Sequence, residues 1–173
     1  SIWKSISEAF FNSDFKKTAA GIDLTVNNGA VLLTGRVEIP EEKVLATALA
    51  WKTIGVKEVV NELQVTNLSS QKDIAKDLAA NAQLRGKLIA DSQVSSLNFS
   101  IDVVNGTVYL SGVSDDREEM ERVVRHAREL RFARQVVNYI TVRNERNLVA
   151  SISKKRIIPS NSKAEANWQD PSG

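Results

Sequence analysis

The chain has no cysteine in 173 residues, which excludes disulfides and thiol chemistry. A lipid-bearing N-terminal cysteine, if the natural chain has one, is therefore not in this sequence. Histidine is nearly absent too. His126 is the single example, and it sits among Arg122, Arg125 and Arg128. A metal site needs several convergent ligands, so no metal is expected and His126 reads as solvated surface. No run of about 18 apolar residues occurs, so nothing reads as a bilayer-spanning helix. No signal peptide is visible from Ser1, which reads as the start of a processed or trimmed chain. The phosphate-loop patterns G-x-x-x-x-G-K and G-x-G-x-x-G are missing. So is the G-x-x-G clamp with which small α/β modules hold nucleic-acid backbone. The net charge of +2 is too near zero to imply a polyanion partner. The chain thus reads as having no cofactor and no nucleic-acid partner, and as not being an enzyme.

What is present is a repeat. Residues 21–65 shifted by 77 fall without a gap on residues 98–142, and thirteen of these 45 positions are identical. Among them are Asn28/Asn105, Gly29/Gly106, Gly35/Gly112, Glu41/Glu118, Glu42/Glu119 and Asn61/Asn138. A period of 77 is too long for a solenoid unit, so each copy should be a module in its own right. Modules this small bury only about 60% of their unfolded surface, so each is marginal alone and needs a neighbour.

The apolar spacing gives each module the order α-β-β-α-β. Residues 2–11 place Ile2, Ile6 and Phe10 on one helical stripe. Asn28-Gly29 and Asn105-Gly106 are type I′ hairpin signals between strands 22–26 and 30–34, and between 100–104 and 107–111. Gly35 and Gly112 are read as ending the second strands. Second helices follow, running to about Ile54 and Arg131. Pro40 suits a first-turn position, and Asp115 with Glu118 resembles a capping box. Closing strands lie near 58–65 and 135–142. A helix over 72–90 opens the second copy, with Ile74, Leu78, Ala82 and Ile89 on one face widened by Leu84 and Leu88. The fold expected is α+β: two tandem modules, residues 2–66 and 72–143, each a three-stranded mixed sheet with two helices on one face. Residues 144–173 are read as a basic, largely disordered tail. Residues 143–173 carry six basic groups against three acidic ones.

An acidic helix start between a Val-x-Asn-Gly-x-Val-x-Leu-x-Gly hairpin and a closing Val-Val-Asn strand resembles the BON domain. Copy one carries the hairpin over Val26–Gly35 and the closing strand over Gly55–Val65; copy two carries them over Val103–Gly112 and Val136–Val142. Copy two departs from the family at Phe132-Ala133, where copy one has Gly55-Val56. The resemblance implies a periplasmic or outer-membrane-attached protein of Gram-negative bacteria, implicated in phospholipid binding and envelope integrity without enzymatic activity. It also implies that the leading helix of the second copy contacts anionic lipid.

On that basis the candidate lipid-binding residues are Lys72, Ile74, Lys76, Leu78, Arg85 and Lys87. The helix's apolar face can equally be filled by its own sheet. Val44, Leu45, Ala48 and Trp51 form a second apolar stripe on the copy-one helix, where copy two has Glu121, Arg122, Arg125 and Arg128. This stripe either packs on the other copy or the tail, or docks an envelope protein partner. Gly29, Gly35, Asn61, Gly106, Gly112 and Asn138 read as structural. The two asparagines are expected on the core face, bonded to nearby backbone. Glu41/Glu42 and Glu118/Glu119 favour the positive ends of helices rather than catalysis.

Overall fold

The computed structural model describes residues 1–12 and 19–144. All of the expected tail beyond Asn144 lies outside these residues. Module one contains α1 (Ile2–Phe11), β1 (Ile22–Asn27), β2 (Ala30–Val37), α2 (Pro40–Trp51), β3 (Glu58–Asn61) and β4 (Gln64–Val65). Module two contains α3 (Ile74–Ala90), β5 (Phe99–Val104), β6 (Thr107–Ser114), α4 (Arg117–Arg128) and β7 (Gln135–Val142). The sheets run β1-β2-β3 and β5-β6-β7, antiparallel in the hairpin and parallel in the crossover, with β4 continuing beside β2.

Local chemistry sets these elements. Asn28 and Asn105 take φ of 50°, and Gly29 and Gly106 take 83° and 80°, the positive values that a type I′ turn requires. Gly35 and Gly112 do not end their strands. β2 and β6 run on through them to Val37 and Ser114, because each glycine permits a close approach of the neighbouring chain. A Cβ on Gly35 would sit 2.1 Å from the Gly21 carbonyl oxygen, and one on Gly112 would sit 2.1 Å from that of Asn98. Pro40 occupies the first turn of α2. The cap of α4 falls one residue later than the spacing predicts. Asp116 Oδ1 accepts the Glu119 N–H at 2.8 Å, and Glu119 Oε1 accepts the Asp115 N–H at 2.8 Å. Both second helices also stop about three residues early, as the Lys52 and Glu129 N–H groups turn back onto the last carbonyls.

Each module has its own core. In module one, Ile6 and Phe10 from α1 and Ala46 and Ala50 from α2 close over Val31, Leu33 and Leu63. In module two, Leu84 and Leu88 from α3 and Val123 and Ala127 from α4 close over Phe99, Leu110 and Ile140.

The cores are joined through α2, whose other side lies on the far face of the second sheet. Val44, Ala48 and Trp51 are buried there, Trp51 to 2% exposure. Trp51 Nε1–H donates to Ser100 Oγ at 2.9 Å, and Ser100 Oγ–H donates to the Val59 carbonyl at 3.1 Å. Val113 of β6 packs into the module-one core. This contact explains why β5 is buried along both faces while β1 alternates between half-buried and exposed.

Truncating Trp51 should therefore damage the whole chain rather than one module. Trp51→Ala is expected to cost about 3–5 kcal/mol in urea unfolding, by cavity formation and loss of buried area. A cost below about 1 kcal/mol would mean that the modules do not depend on this contact.

Candidate functional site

The 17 residues of α3 present two apolar faces. The inward face is built from Ala80, Leu84 and Leu88, with Asp77 and Asn81 beside them. The outward face carries Ile74, Leu78 and Ile89, which are 37%, 66% and 65% exposed. Ala75, Ala79, Ala82 and Gly86 lie exposed between them. At 100° per residue these seven positions span about 140° of the helix, and the one charged residue within that arc, Arg85 between Ile74 and Leu78, is folded back onto backbone carbonyls. The expected single face combining Ile74, Leu78 and Ile89 with Leu84 and Leu88 is thus two separate faces.

Asp77 and Asn81 conceal that division in the sequence, because polar residues sit on the core side. Asp77 holds the β5–β6 turn. Its Oδ2 accepts the Asn105 N–H and a Gln71 Nε2–H, each at 2.8 Å, and its Oδ1 accepts the Gly106 N–H at 2.9 Å. Asn81 Nδ2–H donates to the Ile101 carbonyl at 3.0 Å. Arg85 donates from Nη1 to the Ser96 carbonyl at 2.9 Å and from Nη2 to the Phe99 carbonyl at 3.0 Å. Asn81 and Arg85 thereby satisfy the open edge of β5, a site that would otherwise invite strand pairing. Burial lowers the Arg85 pKa from its ordinary value, and nearby Glu58 partly restores it. Arg85 is occupied as a structural brace rather than presented to a surface ligand.

The remaining cations border the open stripe. Lys72 and Lys76 are exposed at its N-terminal end, and the Lys76 ammonium lies 6.0 Å over the centre of the Phe132 ring. Lys87 lies farther along, half-buried and 3.9 Å from Glu129. Spacing alone could not find Phe132, Arg131 and Arg134, because the loop before β7 reaches α3 only through the fold.

The other expected contact surface is not open. Val44, Ala48 and Trp51 are buried against the second module, and only Leu45 remains exposed at the rim. The stripe exists because α2 has two sheets to cover, whereas the outer side of α4 has none. At the junction a groove of about 390 Å3 is lined by Lys43, Asn61, Asn81, Arg85, Ile89 and Asp102, among others. Burial pushes the Asp102 carboxyl above its ordinary pKa, against the opposing pull of Lys43 and a hydrogen bond with Thr47. Asn61 Nδ2 donates to the Lys43 carbonyl at 2.9 Å and to Thr47 Oγ1 at 2.7 Å, and its Oδ1 accepts the Leu63 N–H at 3.0 Å. Asn138 differs from expectation: it is exposed on the edge strand, with its Oδ1 accepting the Ile140 N–H at 2.9 Å.

His126 is not simply solvated. Its Nε2 lies 2.8 Å from Asp91 Oδ2, and Arg122 grips the same carboxylate through Nε and Nη2. The Arg122 guanidinium, with help from His126 and the Gln93 N–H, holds the Asp91 carboxyl well below its ordinary value. The long-range anion was invisible in a helix whose neighbours are arginines. Among the described residues no three His, Cys, Asp or Glu side chains gather as metal ligands.

The family model of the BON domain matches residues 4–67 and again 76–144. An uncharacterised protein in the gshII 5′ region of Anaplasma centrale is 34% identical over 128 residues, 73% of this chain and 85% of its own length. The outer membrane lipoprotein DolP of Haemophilus influenzae is 36% identical over 96 residues, 56% of this chain and 50% of its own. The osmotically-inducible protein Y of Escherichia coli is 29% identical over 119 residues, 68% of this chain and 59% of its own. The chain thus spans only half to three-fifths of the length of these last two relatives.

Two substitutions test the site's construction. Asp77→Ala strands the Asn105 and Gly106 N–H groups and is expected to cost roughly 2–4 kcal/mol in urea unfolding. A loss below about 0.5 kcal/mol would show that the turn stands without its acceptor. For Asp102, a raised folded-state pKa means that the stabilisation is complete below the unfolded value of about 4 and lost as pH rises through the folded value. Asp102→Asn should therefore flatten the gain in melting temperature seen on acidifying from neutral pH, and should leave neutral-pH stability equal or higher. A steeper pH dependence in the variant would contradict the burial argument.

Proposed function

Because the chain belongs to the BON-domain family, with one domain at residues 4–67 and a second at 76–144, we propose that it is a non-enzymatic protein of the Gram-negative cell envelope that binds anionic phospholipid through the open face of α3. In this role it supports envelope integrity from the periplasm or while attached to the outer membrane. DolP, one of its relatives, bears the name outer membrane lipoprotein, which supports that setting.

One observation carries the lipid reading: α3 fills its own core and still offers Ile74, Leu78 and Ile89 to solvent on a second face. A large apolar stripe left in water marks a contact surface. Lys72 and Lys76 beside it supply attraction to anionic headgroups, worth about 1 kcal/mol each near such a surface. No described helix is long and apolar enough to cross a membrane, so contact through α3 would be interfacial, with the helix lying along the headgroup boundary.

Co-sedimentation with vesicles of phosphatidylcholine, with and without phosphatidylglycerol, tests the reading. Binding should require phosphatidylglycerol, weaken with salt, and be lost in the Leu78→Asp/Ile89→Asp double variant. Both positions are solvent-exposed, so folding should survive. Binding that ignores lipid charge and salt would remove the electrostatic half of the proposal. Unchanged binding by the double variant would remove α3 from it.

A further inference from the structure

A difference between the two copies leaves a cavity at the start of α3. Ile6 and Phe10 of α1 close the first core, and Leu84 and Leu88 of α3, with the same spacing, close the second. One turn before each pair stand Ile2 and Ala80. Ile2 packs on the first core and lies against the loop before β3, since a Cβ on Gly55 would meet its Cδ1 at 3.1 Å. Ala80, buried to 3% exposure, lacks the branched side chain that does this. The α4–β7 loop does not fill the gap either. Its Ala133 faces the core, while Phe132 points outward at 47% exposure. What remains is a cavity of about 220 Å3 between α3, the β5–β6 turn and this loop.

Ala80, Ala133 and Phe132 give the cavity apolar walls, and Lys76, Arg131 and Arg134 surround them. Among the described residues no carboxylate is within ion-pair distance of these three cations. The loop is held in place, because the Arg134 N–H donates to the Gly106 carbonyl at 2.8 Å. Exposed arginine and aromatic side chains on a fixed backbone are the residues that dominate binding at protein interfaces. Arginine also pairs with carboxylates through two parallel hydrogen bonds. The Asp73 and Asp77 carboxylates stand in the same wall. Both Asp77 oxygens are taken by Gln71, Asn105 and Gly106. Asp73 would repel a phosphate group entering the cavity, yet it can accept a peptide N–H. Asp73, Asp77 and Ala80 lie on the side of α3 turned away from Ile74, Leu78 and Ile89.

We propose that this cavity docks an acidic segment of a partner protein: an apolar side chain of the segment enters against Ala80 and Phe132, and flanking carboxylates pair with Arg131 and Arg134. The inference goes beyond the phospholipid reading and does not depend on it. A chain held to a bilayer by the outward stripe of α3 keeps the cavity open to a second partner.

The probe is a fluorescein-labelled peptide with one phenylalanine between two pairs of aspartates. Its anisotropy should show saturable binding to the full chain, weakened about tenfold or more by Arg131→Glu/Arg134→Glu or by glycine in place of the peptide's phenylalanine. Ala80→Ile, which restores the copy-one side chain, should weaken binding as much while the urea midpoint holds or rises. Arg131 and Arg134 are exposed, so their variant should fold whatever Ala80→Ile does. Both variants should still co-sediment with phosphatidylglycerol vesicles. Absence of saturable binding, equal binding of the glycine peptide, or unchanged binding by the arginine variant overturns the site. So does displacement of the peptide by those vesicles or by millimolar inorganic phosphate, which would make the cavity a lipid or simple anion site. Wild-type chain that binds the peptide but not vesicles overturns the phospholipid reading alone.

Discussion

The structure depends on one helix having two sheets to cover. α2 closes the first core with Ala46 and Ala50 and closes the outer face of the second sheet with Val44, Ala48 and Trp51. A helix that is apolar on opposite sides is tolerable in water only when both sides are covered. Copy one meets that condition inside the chain, and in doing so relieves both modules of their size problem. The first gains Val113 from its neighbour's sheet, and the second gains a lid over a face that would otherwise be wet. The Trp51–Ser100–Val59 hydrogen-bond chain supplies direction to a contact that area alone would leave free to slide.

The contact is head to tail: a helix of one copy on a sheet of the other. Such an arrangement could continue indefinitely if both ends matched the middle. They do not. The outer side of α4, which corresponds to the buried stripe of α2, carries Glu121, Arg122, Arg125 and Arg128. That side of α4 is therefore not suited to cover a third sheet as α2 covers the second, the logic by which repeat proteins finish with polar ends. Arg122 serves the module as well, anchoring Asp91 just beyond the last turn of α3.

The sequence made the modules legible because hairpin turns and strand parity are local. Asn28-Gly29 and Asn105-Gly106 demand one turn type, and the identical spacing of the two copies carried the strands with it. What stayed hidden was long-range. The periodicity of α3 pointed at Ile74, Leu78 and Ile89, yet could not say which apolar face the sheet takes, because the core side also carries Asp77 and Asn81. Their partners are backbone groups of β5 and the following turn, far along the chain. The arginine neighbours of His126 mislead for the same reason, because its partner Asp91 lies 35 residues away. Gly35 and Gly112 were legible as special but not as strand-internal, since the backbone they admit belongs to the segment leading into the adjacent strand.

The polar residues on the inner side of α3 are what make its outer side usable. A helix held to its sheet by leucines alone could roll and bury Leu78 in place of Leu84. Asp77 on a turn, Asn81 on one strand carbonyl and Arg85 on two more carbonyls fix its rotation by directional bonds, since a rolled helix would leave those buried groups unpaired. Only then can Ile74, Leu78 and Ile89 remain in water without being reclaimed by the core. A surface fixed this way loses little conformational entropy on meeting a partner, so even a shallow apolar stripe with a few cations can associate measurably. For the proposed headgroup contact, modest area, added charge and a rigid presentation favour reversible association over permanent insertion.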